Sequence, residues 1–254
     1  MAAGIRVFND SNTIVIDSDS TNFVFHSKGT LSTRTPPADR QIMPFGSGTD
    51  LLRYEAYYCT SMCNINLFGA PTGGVFAIQC ASNIAPSQFP YPITSSNGAS
   101  MELACEGAVG TTVNWWYFVP VNKLGPSTAG QGLRVFRSNG QIAYDSGYLP
   151  IKYVDFKGGA GSPGNNATGG PYTYETGKQY ALLLSCGGGY MGGKQRASGI
   201  YDYVNIGVGG RVSSNVIYTK DVVGASTGYS LYSGVPYNPL YFSWGIVIVD
   251  VTGL

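Results

Sequence analysis

Gly132-Leu-Arg-Val-Phe-Arg-Ser-Asn-Gly-Gln-Ile-Ala-Tyr-Asp-Ser146 decides the fold class. Two short runs of β-branched, aromatic and aliphatic residues, Gly132 to Phe136 and Gln141 to Tyr144, flank Ser138-Asn139-Gly140. Asn and Gly accept the backbone angles of a tight hairpin, and Asn-Gly between such runs is among the strongest short-range hairpin signals. The same grammar runs through the chain. Residues 5–8 and 13–16 flank Asn9-Asp10-Ser11-Asn12 as a second hairpin. Strands are expected at Asn22 to His26, Leu52 to Tyr58, Val75 to Gln79, Val113 to Val121, Ile151 to Phe156, Tyr180 to Ser185, Tyr203 to Val208, Val216 to Lys220 and Tyr241 to Val251. Ala99 to Glu106 is the one helix candidate, two turns at most. Gly29 to Asp50, Gly69 to Gly74 with Asn83 to Gly98, and Gly158 to Gly177 read as long Gly-rich loops. Many short strands between Gly/Pro turns specify an all-β chain of antiparallel sandwich or jelly-roll type, with little or no helix.

The opening stretch has a counterpart. Gly4 to Ser18 aligns on Gly132 to Ser146 without gaps, with seven of fifteen positions identical: Gly, Arg, Val, Phe, Ile, Asp and Ser. Strand composition is narrow, so Val, Ile and Phe recur in unrelated hairpins. A shared leading Gly-x-Arg and a shared closing Asp-Ser need another cause. The offset, 132 − 4 = 128, is half the chain. It predicts two sandwich-like units, 1–128 and 129–254, each opening with its hairpin by duplication or by reuse of one motif. The motif residues are Gly4, Arg6, Phe8, Asp17, Gly132, Arg134, Phe136, Gly140 and Asp145. Asp17 and Asp145 each end a strand; a carboxylate there accepts the backbone N–H two residues on and turns the chain.

Composition limits the function classes. Gly is 36 of 254 residues, charged residues are 11%, aromatics 13% and the net charge is +1. Disordered chains are aromatic-poor and charge-rich, so disorder does not explain the glycine. A surface rich in Gly, Ser, Asn and 19 Tyr suits contact with neighbours or recognition by large rigid rings. The 15 basic residues are scattered, which argues against a nucleic-acid partner. The start lacks a basic region followed by an apolar one, and no apolar run reaches the ~18 residues of a membrane span. Folding in a cytoplasm is therefore expected, with Cys59, Cys63, Cys80, Cys105 and Cys186 as small buried hydrophobes rather than disulfides or zinc ligands.

Catalytic and cofactor motifs are weak, and no cofactor, metal or enzyme activity is expected. Gly188 to Lys194 has the spacing of a phosphate loop, but Gln195 stands where Ser or Thr would hold magnesium and no helix follows. It reads as a flexible glycine loop. His26, the single His, sits in an alternating strand without a locatable triad. Asp17-Ser-Asp19-Ser does not make a multi-oxygen calcium loop. Tyr172, Tyr174, Tyr190, Tyr229, Tyr232 and Tyr237 lie in or near turn-rich segments. Their rings have two readings: stacking on sugars or a partner's pocket, or covering the ends of the sandwiches.

The hairpin Gly132 to Ser146 resembles the opening of small tail proteins of long-tailed phages of Gram-negative bacteria, matching at Gly132, Val135, Phe136, Gly140, Tyr144, Asp145 and Ser146. The first copy departs at Asn12 and Ile16. The resemblance covers about fifteen residues in each copy, about 25 with the following strand, and leaves the remaining four-fifths of the chain outside it. It implies a structural virion protein of a tail tip or baseplate, made in the bacterial host cytoplasm. It would act as a homo-oligomer, a ring or trimer, with other tail proteins and copies of itself as partners and a host receptor or glycan as a further one. The alternative is a carbohydrate- or receptor-binding module.

Overall fold

The computed structural model describes residues 6–8, 14–17, 22–36, 60–86, 93–95, 98–159, 169–184, 189–197, 200–223, 228–231, 240–241 and 244–254. Strands are numbered along the chain. A six-stranded sheet runs in the order β12 (Lys152–Gly159), β20 (Trp244–Asp250), β14 (Tyr180–Leu183), β5 (Val75–Cys80), β9 (Thr112–Pro120), β3 (Phe23–Ser32). A second sheet has the path β13 (Gly169–Thr173), β17 (Val216–Val223), β16 (Ile200–Ser213), β6 (Ile84–Pro86), β8 (Gly98–Cys105), β4 (Ser61–Phe68). To it are added β7 (Ile93–Ser95) on β8, β15 (Gly189–Ala197) and β18 (Gly228–Leu231) on β16, and β19 (Leu240–Tyr241) on β15. Two small ribbons stand apart: β1 (Arg6–Phe8) with β2 (Ile14–Asp17), and β10 (Arg134–Phe136) with β11 (Ile142–Asp145). The protein is an all-β sandwich of two large antiparallel sheets.

Side-chain alternation builds the layers. On β9, Val113, Tyr117 and Val119 face the second sheet, where they join Met101, Leu103, Val212 and Ile217 in the main core. Trp116 and Phe118 point the other way, into a second cluster with Ala77, Leu183 and Val249. Each such aliphatic or aromatic side chain contributes roughly 1.5–3 kcal/mol by leaving water. Residues Leu149 to Ile151 lie over this second cluster. Phe25 N–H donates to Leu149 O (2.8 Å) and Ile151 N–H to Phe23 O (2.9 Å). The chain entering β12 at one edge of the sheet is thus bonded to β3 at the other edge, which curls the sheet around Trp116 and Phe118.

The two halves repeat one arrangement. From the outside inward, the first half supplies β3-β9-β5 to one sheet and β4-β8-β6 to the other; the second supplies β12-β20-β14 and β13-β17-β16. The correspondence reaches details. β1–β2 pairs Arg6 with Asp17 and β10–β11 pairs Arg134 with Asp145, each with an irregularity after the Val. β3 bulges between Phe25 and Ser27, and β12 between Tyr153 and Asp155, again 153 − 25 = 128 residues on. Thr72-Gly73 and Thr176-Gly177 precede β5 and β14, with φ of 82° and 83° at the glycines.

The border expected at residue 128 does not separate two sandwiches. β5 pairs with β14, β6 with β16, and residues of both halves fill the main core. An unpaired edge strand is a template for another strand, and here each half covers the other's inner edge. Gly209 makes the approach of β16 to β6 possible: a Cβ there would lie 1.9 Å from Ile84 O.

Other expectations change. Ala99 to Glu106 is strand β8, not a helix; Ala99, Met101, Leu103 and Cys105 alternate into the core while Ala104 packs on Ala85. A weak helical preference gives way to pairing on both edges, with β4 on one side and β6 and β7 on the other. Gly29 to Ser32 belongs to β3, where Gly29 leaves room for the Trp115 ring. Parts of the other expected loops are strands β6, β7 and β13, and the glycine stretch through Lys194 is β15, paired to β16 and β19. β4 had no expected counterpart. Leu52 to Tyr58 lies outside the described residues.

Candidate interaction surface

The β10–β11 ribbon shows what the motif residues do. Asp145 is 3% exposed and collects four donors: Ser127 N–H (2.9 Å), Ser127 Oγ (2.7 Å), Gly147 N–H (2.9 Å) and Arg134 Nε (2.8 Å). The bond from Gly147 is the turn expected of a closing Asp. Arg134 also donates to Ser127 O at 3.2 Å. Burial pushes the Asp145 carboxyl up, but the bonds from Ser127, Gly147 and Arg134 outweigh it and hold the group well below the usual carboxylate range. Ser146 Oγ accepts the Leu133 N–H at 2.8 Å, and a Cβ on Gly132 would lie 2.3 Å from that oxygen. Gly-x-Arg and Asp-Ser recur together because they are partners across the ribbon. At the tip, Gly140 has φ +79° and Asn139 Oδ1 accepts the Gln141 N–H at 3.1 Å.

In the first copy, Arg6 and Phe8 lie on β1 and Asp17 on β2 in the same register, while Gly4 is outside the described residues. β2 runs alongside β11, so the two ribbons are neighbours. Asn22, five residues after β2, fastens the second ribbon by donating its side-chain N–H to Ala143 O at 2.7 Å.

The locked ribbon leaves apolar groups in water. Phe136 is 53% exposed and Leu133 48%. Exposed apolar groups continue along the chain at Leu149, Tyr153, Val154 and Phe156. Tyr153 and Phe156 stand opposite Val249 and Val247, so both are on the same face of the curled sheet. Across that face runs a polar row: Thr30 Oγ1 to Asn114 Oδ1 (2.8 Å), Asn114 Nδ2 to Gln79 Oε1 (3.2 Å) and Gln179 Nε2 to the same Gln79 oxygen (2.9 Å). Sequence reasoning missed this row, because its members come from distant strands and only the sheet order aligns them. The exposed Phe156 and Tyr153 were legible as strand residues but not as surface.

Tyr172 and Tyr174 are half-buried and engaged. Tyr174 Oη donates to Asp155 Oδ2 at 2.8 Å, Lys157 Nζ lies 2.6 Å from the same oxygen, and that ammonium sits 4.7 Å from the Tyr172 ring centre. The Tyr174 and Tyr180 rings are 5.3 Å apart. Burial and the neighbouring Asp155 push the Tyr174 hydroxyl up. Burial of Asp155 is outweighed by Lys157, Tyr174 and the Phe156 N–H, which keep it a carboxylate. These side chains clasp β12 of one sheet to β13 of the other. Tyr190 and Tyr229 lie on β15 and β18. Tyr232 and Tyr237 are outside the described residues.

His26 is the exposed bulge residue of β3, its ring edge-on to Tyr117 at 5.9 Å. Cys63, Cys80 and Cys105 are buried thiols outside any disulfide; Cys59 and Cys186 are outside the described residues. No helix among the described residues is long and apolar enough to cross a membrane. No protein-family model, no curated protein and no solved structure matches this chain.

Proposed function

We propose that this chain is a structural, non-enzymatic component of a bacteriophage tail tip or baseplate, built into the particle as a homo-oligomer through its exposed apolar surface. The observation that carries the reading is the ribbon. Gly132, Arg134, Asp145 and Ser146 are spent on making it rigid, and the rigid ribbon holds Phe136 and Leu133 out in water. A pre-organised aromatic anchor loses little entropy on docking, and such anchors dominate interface energies. The resemblance of the same residues to the opening hairpin of phage tail proteins supplies the setting. The charge-poor, Gly- and Tyr-rich composition accords with a surface covered by neighbours.

The test is mass spectrometry of purified phage particles released by cells carrying the gene. The chain in fixed copy number with known tail proteins supports the reading; particles complete without it refute it.

A second reading, a glycan- or receptor-binding module, draws on Tyr153 and Phe156 on the same sheet face as the Thr30–Asn114–Gln79–Gln179 row. Exposed rings and amides on one face offer what sugar faces and hydroxyls require. A glycan array with the purified protein separates the two readings: saturable binding lost in a Tyr153→Ala, Phe156→Ala double variant favours this one.

A further inference from the structure

Cys80 ends β5 in the six-stranded sheet, and Cys105 ends β8 in the other. Three residues, Ala81 to Asn83, carry the chain from one sheet to the other before β6 sets Ile84 opposite Cys105. The corner is tightly made. Glu106 N–H donates to Asn83 O at 2.9 Å, and a Cβ on Gly107 would lie 2.6 Å from Ser82 Oγ. Inside it both sulfurs face the main core as free thiols, 2% and 0% exposed, hydrogen-bonded to one another. Cys105 Sγ also accepts the Gly107 N–H at 3.3 Å. Cys63, on β4 next to β8, is the third sulfur of this region.

We propose that Cys80 and Cys105 are the site of a reversible disulfide between the two sheets, closed by a hydroperoxide oxidant. The attacking atom is Cys105 Sγ. The hydrogen bond from Cys80, against the upward pull of burial and with help from Gly107 N–H and Ser61, brings this thiol down to about 7. The same bond, with burial, pushes Cys80 up and keeps it a thiol. The thiolate is the reactive form of cysteine. Cys105 thiolate attacks hydrogen peroxide, the O–O bond breaks, and hydroxide leaves behind a sulfenic acid. Cys80 sulfur then attacks the sulfenic sulfur. The S–S bond forms, the S–O bond breaks, and the thiol proton leaves with the oxygen as water. In sum, two thiols lose two electrons and two protons, and one peroxide becomes two waters.

The pair stays reduced in a thiol-rich cytoplasm and closes outside it. The bond adds a second covalent tie between the sheets beside the Ala81 to Asn83 crossover, and it restricts the unfolded chain. The inference is independent of the tail assignment, since it rests on the corner alone.

The test uses the intact, fully reduced protein. It is treated with hydrogen peroxide, free thiols are alkylated, and peptides are mapped before and after dithiothreitol. The expected result is a reducible link between the peptides holding Cys80 and Cys105, with a higher melting temperature than the reduced form. In Cys80→Ser, dimedone traps the sulfenic acid at Cys105. Full alkylation of both cysteines, after peroxide sufficient to oxidise an unstructured cysteine peptide, overturns the proposal. So does a link through Cys63. The wild-type map decides the matter even if the variant does not fold.

Discussion

Replacing Asp145 by Ala tests the ribbon most directly. Asp145 accepts from two backbone N–H groups, Ser127 and Gly147, and from the side chains of Ser127 and Arg134. Leaving a buried donor without an acceptor costs about 1–3 kcal/mol each. Removing one partner of a fully buried ion pair costs roughly 3–5 kcal/mol. The Arg134 side chain, however, is 33% exposed and regains water, so its share is small. The expected loss is about 3–4 kcal/mol, a large part of the ~5–15 kcal/mol that holds a domain together. Asp145→Asn, which keeps one acceptor oxygen, loses about half as much. The assay is urea unfolding of both variants, with amide hydrogen exchange to catch the ribbon opening by itself. A loss under ~0.5 kcal/mol, the range of indifferent surface changes, with Ser127 and Gly147 still protected, refutes the reasoning. The sign with pH follows from the depressed carboxyl. Its contribution is complete above the unfolded carboxyl value, ~3.9, and drains away as pH falls below it. The stability advantage of wild type over Asp145→Ala should therefore be full above about pH 4 and narrow as the pH falls below it, so that the acid dependence is flatter in the variant.

Gly209→Val should be the more severe change, because its Cβ meets the Ile84 carbonyl at the junction of the halves; the expected outcome is loss of soluble folded protein on expression, with wild-type yield refuting the junction. Phe136→Ser with Leu133→Ser should leave the melting temperature within about 2 °C of wild type, since both side chains are exposed, while weakening assembly read by light scattering or particle incorporation. Tyr174→Phe should cost about 1–2 kcal/mol, a hydrogen bond to a charged partner, and should raise the proteolysis rate between β12 and β13.

How much was legible follows the range of each interaction. Both ribbons, their register and the turning role of Asp145 depend on residues within fifteen positions of one another, so turn chemistry and alternation suffice to read them. The helix expected over Ala99 to Glu106 failed for want of neighbours: eight residues fit either period until β4 and β6 bond to both edges. The glycine stretch through Lys194 failed likewise, since glycines carry no alternation to mark a strand and only pairing with β16 shows it. The amide row from Thr30 to Gln179 had no signal at all along the chain.

By itself the sequence determined an all-β chain built on a motif used twice, because hydrophobic alternation and turn residues act locally. Only the tertiary structure decided that the two halves share both sheets. Ile78 lies opposite Leu182, 104 residues away along the chain, and Ile84 opposite Gly210. No local preference encodes those pairings; they follow from burying two inner edges and one common core at once.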